Sequence, residues 1–449
     1  MSATSVPAHP ADQIEQLTRS QRLDRLPFTR THGRLLAGSG VGWALDAMDV
    51  GLISFVMAAL AKQWSLTAGQ LSWIGSIGFV GMAIGASAGG LLADRIGRRS
   101  VFALTLLVYG LATGASALAT GVGMLLVLRF VVGLGLGAEL PVASTLVSEY
   151  APARIRGRVV VILESFWAVG WILAALIGYL VVPNSENGWR WALLVGLVPA
   201  AYALVVRRTL PESVRFLERR GRVDEAEAAV RAFESAAGVA SSPSPTAPVA
   251  SKPSAGELWR PAMRRRTTAL WVTWFGVNFA YYGAFIWLPT LLVGDGFSLT
   301  KSFQYTLIIT VAQLPGYALS AFLVERWGRR ATLAAFLVGS AVAAVLFGRS
   351  HTDAGILAAG MALSFFNLGA WGALYAVTPE VYPTAIRATG SGSATAFGRI
   401  AAILAPLSVP WLKDVGGSSL IFGVFAAAFV TAAAAALFLP EWTGRALED

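Results

Sequence analysis

Residues 90–99 read GLLADRIGRR and residues 321–330 read AFLVERWGRR. An acid, an Arg, a Gly and two further Arg recur in the same order, each time directly after one long apolar block and directly before another. Such a basic turn sits at a water boundary, and its recurrence divides the chain into two similar halves.

Working outward from the two turns, the chain is mostly apolar. Of its 449 residues 55% are hydrophobic and 13% are charged, against roughly 25% charged in a soluble domain. The blocks Val101–Leu118, Trp191–Val206 and Ile421–Pro440 carry no charge. About 20 residues of helix cross a hydrocarbon core about 30 Å thick, and in lipid the backbone must pair its own polar groups, so these blocks are helical spans. Twelve spans are expected, at 35–60, 70–92, 101–119, 122–146, 159–182, 190–208, 268–293, 303–324, 331–348, 354–377, 390–411 and 418–440. The fold class is an all-α polytopic membrane protein built as two six-helix bundles. The expected division is a segment 1–34, a first bundle 35–208, a polar stretch 209–267, a second bundle 268–440 and a tail 441–449. Within the polar stretch, 223–233 has helical periodicity with mixed charge, and 238–256, rich in Pro, Ser and Ala, reads as a disordered linker.

The net charge of +10 raises the question of nucleic acid, and the placement of the charge answers it. With both termini in the cytoplasm, only Lys62, Arg190, Lys301, Arg349 and Lys413 of the 35 Lys and Arg residues fall in or beside external loops, while Arg129 and Arg399 lie inside spans. That bias follows the positive-inside rule, so the expected partner is the lipid bilayer of a cell's inner (plasma) membrane and not nucleic acid. Residues 1–34 lack the pattern of a cleaved leader, so the first apolar block is expected to be retained as a span. The absence of Cys excludes disulfides and thiolate metal sites, and three His residues make a histidine metal centre improbable. No nucleotide loop or nucleophile triad is visible. A transporter without a cofactor or metal is expected, not an enzyme.

Further motifs stand at the ends of the spans: Arg129-x-x-x-Gly133-x-Gly135-x-Gly137; Glu149-Tyr-Ala-Pro152-Ala-Arg154-x-Arg156-Gly157-Arg158, echoed by Glu380-Val-Tyr-Pro383-Thr-Ala-Ile-Arg387; Pro211-Glu212-Ser213 after the sixth span and Pro440-Glu441-Trp442 after the twelfth. In this order the chain resembles the major facilitator superfamily along essentially its whole length, with motifs similar to those of its sugar-porter and organic-ion branches. The second turn departs from the pattern in having Ala321 for Gly and Glu325 for Asp. The first span, with Asp46-Ala-Met-Asp49, resembles that of bacterial aromatic-acid:proton symporters and, most closely, of the niacin-transporter group related to synaptic-vesicle glycoproteins.

An ionised side chain at mid-bilayer costs at least about 2.5–3.5 kcal/mol on insertion scales and is presumptively functional. Asp46 and Asp49 lie one helical turn apart in the first span, where two carboxylates that close cannot both ionise cheaply, which suits proton carriage. Against this stands a purely structural role in tying the first span to its neighbours. Arg129, a permanent cation in the fourth span, needs a counter-ion; by resemblance to sugar porters that partner is Asp49, and protonating Asp49 would release it. Glu139 and Glu164 are candidate proton relays or gate residues. Arg399 sits near the middle of the eleventh span with no acid in that span, and its context resembles that of organic-anion transporters, whose Arg meets a substrate carboxylate; a structural pair with an internal acid is the alternative. Asn278, Tyr281 and Tyr282 in the seventh span and Asn367, Trp371 and Tyr375 in the tenth supply polar and aromatic walls for a ring. Trp271 and Trp274, nearer the cytoplasmic end, read as packing or belt residues. Gly90, Asp94, Arg95, Gly97, Arg98, Glu149, Arg154, Arg156, Glu325, Arg326, Glu380 and Arg387 form a candidate cytoplasmic latch, with Asp94 expected to pair with a basic residue of the 154–158 run. The reading is a monomeric, proton-coupled importer of a small aromatic acid, with nicotinate first and benzoate-type acids second. An organic-cation or drug exporter, or a transport-dead receptor of the same fold, stands as the alternative.

Overall fold

The computed structural model describes residues 17–240, 255–383 and 386–441. The expected linker therefore lies largely outside the described residues, as does the tail beyond Glu441. The described residues form sixteen α-helices and no strand. A short α1 (Arg19–Asp24) precedes the first half, which is made of α2 (Arg30–Gln63), α3 (Ala68–Ile96), α4 (Arg98–Ser116), α5 (Val122–Tyr150), α6 (Arg156–Val181) and a sixth span in two pieces, α7 (Gly188–Val195) and α8 (Val198–Thr209). Two polar helices, α9 (Val214–Arg219) and α10 (Val223–Ala237), follow. The second half comprises α11 (Pro261–Gly294), a span in two pieces α12 (Leu299–Val311) and α13 (Gln313–Arg326), then α14 (Arg329–Gly348), α15 (Asp353–Val377) and α16 (Arg387–Ala436). In α16 the eleventh and twelfth spans run on through a sharp bend at Gly416 and Gly417, where the backbone leaves helical geometry.

Local chemistry explains where the helices start. The face that holds the basic turns, α1 and Glu441 is called here the terminal face, and the opposite one the distal face. On the distal face the starts of α3, α12 and α15 are closed locally. Thr67 accepts from the Gln70 backbone N–H at 3.2 Å while the Gln70 side chain accepts from the Thr67 N–H at 2.9 Å, and Ser298 and Thr352 cap α12 and α15. These hydroxyls satisfy amides that a helix start leaves unpaired.

The terminal-face starts of α4 and α14 follow Gly97 and Gly328, which have no side chain to offer and take positive φ angles of 96° and 91°. Their caps come from far along the chain. Glu212 accepts from the backbone N–H of Arg98 at 2.7 Å and of Arg99 at 3.1 Å, and Glu441 accepts from those of Arg329 at 3.2 Å and Arg330 at 2.9 Å. The acid after the last span of each half thus closes the start of that half's third span. A Cβ on Gly97 would stand 2.2 Å from a Glu212 carboxylate oxygen, so this turn admits only glycine.

The small-residue stripe on α3 meets the one on α5. A methyl added to Gly81 or Gly85 would lie 2.3 or 2.2 Å from the carbonyl oxygens of Phe130 and Leu134, and one on Gly137 would lie 2.1 Å from that of Met82. Backbone therefore touches backbone, the arrangement that small residues permit between membrane helices. Gly90 differs, since a methyl there would meet nothing within 4 Å.

The halves meet through apolar packing toward the distal face. Phe55 of α2 packs edge-on against Phe303 of α12 with ring centres 5.0 Å apart, and both are fully buried. Between α3 and α16, the Ser76 hydroxyl donates to the carbonyl of Ile403 at 3.0 Å. On the terminal face, α1 is clamped to α9 and α10 by buried ion pairs, Arg22 with Glu234 at 2.6 Å and with Glu227 at 2.9 Å, and Arg19 with Glu218 at 3.0 Å. Burial works to raise the Glu227 carboxyl, but hydrogen bonds from Arg22, Arg231 and Arg19 hold it below the usual range.

Candidate functional site

Two buried charged centres lie within the bundles. In the first, Asp49 on α2 accepts from Arg129 Nη1 on α5 at 2.9 Å and makes a short hydrogen bond with the Thr113 hydroxyl of α4. Asp49 and Arg129 are 1% and 4% exposed, so the guanidinium charge is neutralised inside the first half. One turn away, both carboxylate oxygens of Asp46 are buried without a hydrogen-bond partner. Asp46 faces Glu139 and Tyr109 as well as Asp49. Glu139 accepts from the Thr105 hydroxyl at 3.3 Å. The two acids of the first span are thereby separated in role. Asp49 belongs to an ion pair, and Asp46 belongs to a cluster of acids and phenol with no cation in hydrogen-bond contact among the described residues.

The second centre is a cavity at the junction of the halves, with about 410 Å³ of space that is partly open to solvent. Its charged walls are Glu164 from α6 and Arg399 from α16, and Asn278, Tyr282, Trp371 and Tyr375 complete the part expected from sequence. Arg399 Nη1 is buried without a hydrogen-bond partner, and so is Glu164 Oε1. The Trp371 and Tyr375 rings are stacked, with centres 5.7 Å apart and planes 24° from parallel. Helical spacing of four residues on α15 brings these two rings to one face.

The cavity also differs from the sequence reading. Trp274, taken as a packing or belt residue, lines it edge-on to Trp371 at 5.5 Å. Trp167, Tyr317 and Thr395 line it too. Trp167 stands one turn after Glu164 on α6, a spacing that could have flagged it; no signal in the sequence singles out Tyr317. Tyr281 and Asn367 are fully buried outside the lining. The Tyr281 hydroxyl accepts from Trp167 Nε1 at 3.1 Å, and its ring packs against Trp171 of the first half. It joins the halves behind the cavity wall. The Asn278 amide donates to the Trp274 carbonyl at 2.8 Å, which fixes it against its own helix.

On the terminal face, Asp94 pairs with Arg98 of the first half at 2.9 Å and with Arg219 of α9 at 3.1 Å. The 154–158 run has other partners, Asp24 for Arg156 and Glu325 for Arg158. The Arg158–Glu325 pair, 2.6 Å long, crosses between halves, and its side chains are 67% and 49% exposed. Glu149 accepts from the Ser213 hydroxyl at 2.5 Å, and Glu380 pairs with Arg329 at 3.1 Å. The Arg95 carbonyl accepts from Arg220, Arg326 lies over the Phe322 ring, and Arg387 donates to the Tyr382 carbonyl at 3.4 Å. Arg154 makes no side-chain hydrogen bond or ion pair among the described residues.

Comparison with known proteins accords with this architecture. The family described as "Sugar (and other) transporter" matches residues 32–449. The niacin transporter NiaP of Acinetobacter baylyi is 49% identical over 433 residues, covering 95% of this chain and 98% of that protein. The putative niacin/nicotinamide transporter NiaP of Bacillus subtilis is 47% identical over 411 residues, covering 91% and 96%. Among solved structures, the E. coli xylose transporter XylE in a partially occluded inward open conformation aligns with a TM-score of 0.75 at 19% identity, over 93% of this chain and 100% of that one. At that identity the likeness speaks for the fold alone. Helices, halves and relatives agree: the chain belongs to the Sugar (and other) transporter family, with the major facilitator fold, and is a membrane transporter and not an enzyme.

Proposed function

We propose that the protein imports a small aromatic monocarboxylate together with protons by alternating access, with nicotinate the first substrate and benzoate-type acids the second. The observation that carries this reading is the buried, unpartnered Nη1 of Arg399 in an aromatic cavity between the halves. A guanidinium fork matches a carboxylate through two parallel hydrogen bonds. Trp371, Tyr375 and Tyr282 give the ring apolar faces on which to lie. The names of the two bacterial relatives support niacin over other aromatic acids.

Proton coupling rests on Asp49 and Arg129. Protonating Asp49 frees Arg129 and shifts the balance between two arrangements of the bundles, which is what coupling requires. Asp46, Glu139 and Glu164 are further places for a proton near that path. The basic turns argue that the terminal face is cytoplasmic; a monomer in the plasma membrane completes the proposal. In this arrangement the described state is shut on the outside by apolar packing and held on the inside by exposed polar ties, Arg158–Glu325 among them, which open at little cost.

The test is uptake by purified protein in proteoliposomes, with a binding screen over nicotinate, nicotinamide, benzoate and hydroxybenzoates. Accumulation of nicotinate driven by an inward proton gradient, and preference for the acid over its amide, are expected. Equal affinity for nicotinate and nicotinamide, or uptake indifferent to the gradient, overturns the corresponding half of the proposal.

A further inference from the structure

Arg399 accounts for one end of a bound aromatic acid. The other charged residue in the cavity lining is Glu164, which comes from the first half, and the carboxylate assignment leaves it unused. Its side chain is 2% exposed, and its Oε1 has no hydrogen-bond partner. The ionisable groups that face it are Arg399 from α16, Tyr282 from α11, Tyr317 from α13 and Tyr375 from α15. A buried polar group left unsatisfied is costly and waits for a partner. Trp167, Trp274 and Trp371 line the same cavity, and such aromatic walls suit a planar ring that offers polar edges to Glu164 and Arg399.

We infer that Glu164 is a specificity-determining residue that reads a ring heteroatom: its carboxyl hydrogen-bonds to the ring nitrogen of a pyridine carboxylate whose own carboxylate is held by Arg399. This rests on the aromatic-acid reading and deepens it. One proton lies between the Glu164 oxygen and the ring nitrogen. Arg399 and the substrate carboxylate cancel, so the whole assembly is neutral, as a low-dielectric cavity favours. A benzene ring offers no acceptor there and leaves Glu164 unsatisfied. Selection for a hydrogen-bonding atom works in this way because the analogue lacking it strands a buried polar group. The ligand then touches both halves at once, Glu164 in the first and Arg399 in the second, so the group that discriminates also helps draw the halves together.

The test is equilibrium binding of nicotinate and benzoate to the purified full-length transporter in wild-type, Glu164→Gln and Glu164→Met forms across pH. The ratio of the two affinities cancels what Arg399 and the proton switch contribute to both acids. Wild type should prefer nicotinate by about three- to tenfold, the worth of one hydrogen bond. Glu164→Met should bring that ratio close to one, by weakening nicotinate and not benzoate. Glu164→Gln, which keeps the volume and a donor, should retain the preference. In wild type the ratio should fall as pH rises and the Glu164 proton is lost, and in Glu164→Gln it should be flat with pH; this arm decides the matter if Glu164→Met does not fold. A ratio that both variants leave unchanged, with the same pH course as wild type, overturns the Glu164 assignment alone. If neither acid binds the folded wild-type protein, the assignment falls together with the aromatic-acid reading beneath it.

Discussion

Arg129 and Arg399 are both guanidinium groups deep inside a bundle, and they are treated in opposite ways. Arg129 is matched by Asp49 at 2.9 Å, and Asp49 is held in turn by Thr113. Arg399 has one buried nitrogen, Nη1, without a hydrogen-bond partner, and stands in a cavity that it shares with Glu164 and Tyr282. A buried pair is self-sufficient and responds only when one member changes its proton. A guanidinium with a buried donor left unpaired has a place for an acceptor to fill. On the proposed reading the contrast divides the labour between the halves: the closed pair of the first answers to the proton, and the open donor of the second answers to the substrate.

The sharpest way to break this contrast is to remove the titratable member of the closed pair. Asp49→Asn should abolish gradient-driven accumulation of nicotinate while some equilibrium exchange persists, measured as uphill uptake against counterflow in the same liposomes. It also strands Arg129, and breaking a buried pair typically costs about 3–5 kcal/mol, so a lowered unfolding temperature should accompany the loss. Undiminished uphill uptake would remove Asp49 from the coupling. The open cation comes next. Arg399→Ala should weaken nicotinate binding by roughly 10- to 150-fold, the worth of a charge-assisted hydrogen bond at about 1.5–3 kcal/mol, and Arg399→Lys should recover only part of it because an ammonium lacks the planar fork. Unaltered binding in Arg399→Ala would make Arg399 structural and reopen the organic-cation reading.

Smaller effects sharpen the contrast without threatening it. Trp371→Ala or Tyr375→Ala should lower affinity for the acids by roughly two- to tenfold, since an aromatic pair is worth about 0.5–1.5 kcal/mol beyond its buried area. The preference for acid over amide should stay as it was, because that preference belongs to Arg399; a changed preference in titration calorimetry would mean that these rings orient the guanidinium. The smallest effect is expected on the terminal face. The exposed Arg158–Glu325 pair contributes about 0–1 kcal/mol, so Arg158→Ala should alter turnover by less than about fivefold, and the effect should shrink as salt rises. A collapse of transport in that variant would make the exposed tie a required gate.

The apolar blocks and the two basic turns were legible because hydropathy and a repeated motif are properties of the chain alone. Asp49 with Arg129 was legible through resemblance, and Arg399 through the absence of an acid in its own span. What escaped depends on how each helix is rotated and what faces it across a gap. Asn278, Tyr281 and Tyr282 are neighbours on α11, yet Tyr281 turns toward Trp171 while the other two line the cavity. Asn367 shares the four-residue spacing of Trp371 and Tyr375 but lies outside the lining. Tyr317 reaches the cavity from α13, and neither its spacing nor its chemistry announces this. In the sequence Glu212 and Glu441 stand only as fragments of motifs, because a cap supplied by a residue more than a hundred positions away has no local signature.

Those two caps bear on how the protein is made. Glu212 reaches Arg98 across 114 positions and Glu441 reaches Arg329 across 112, so each half ties its own knot at nearly the same length. During synthesis the first half has everything needed to fasten its basic turn once residue 212 has left the ribosome, before any of the second half exists. The second half repeats the step with its own carboxylate and borrows nothing from the first. Each half can therefore fasten its own basic turn without the other, once its final acid has arrived.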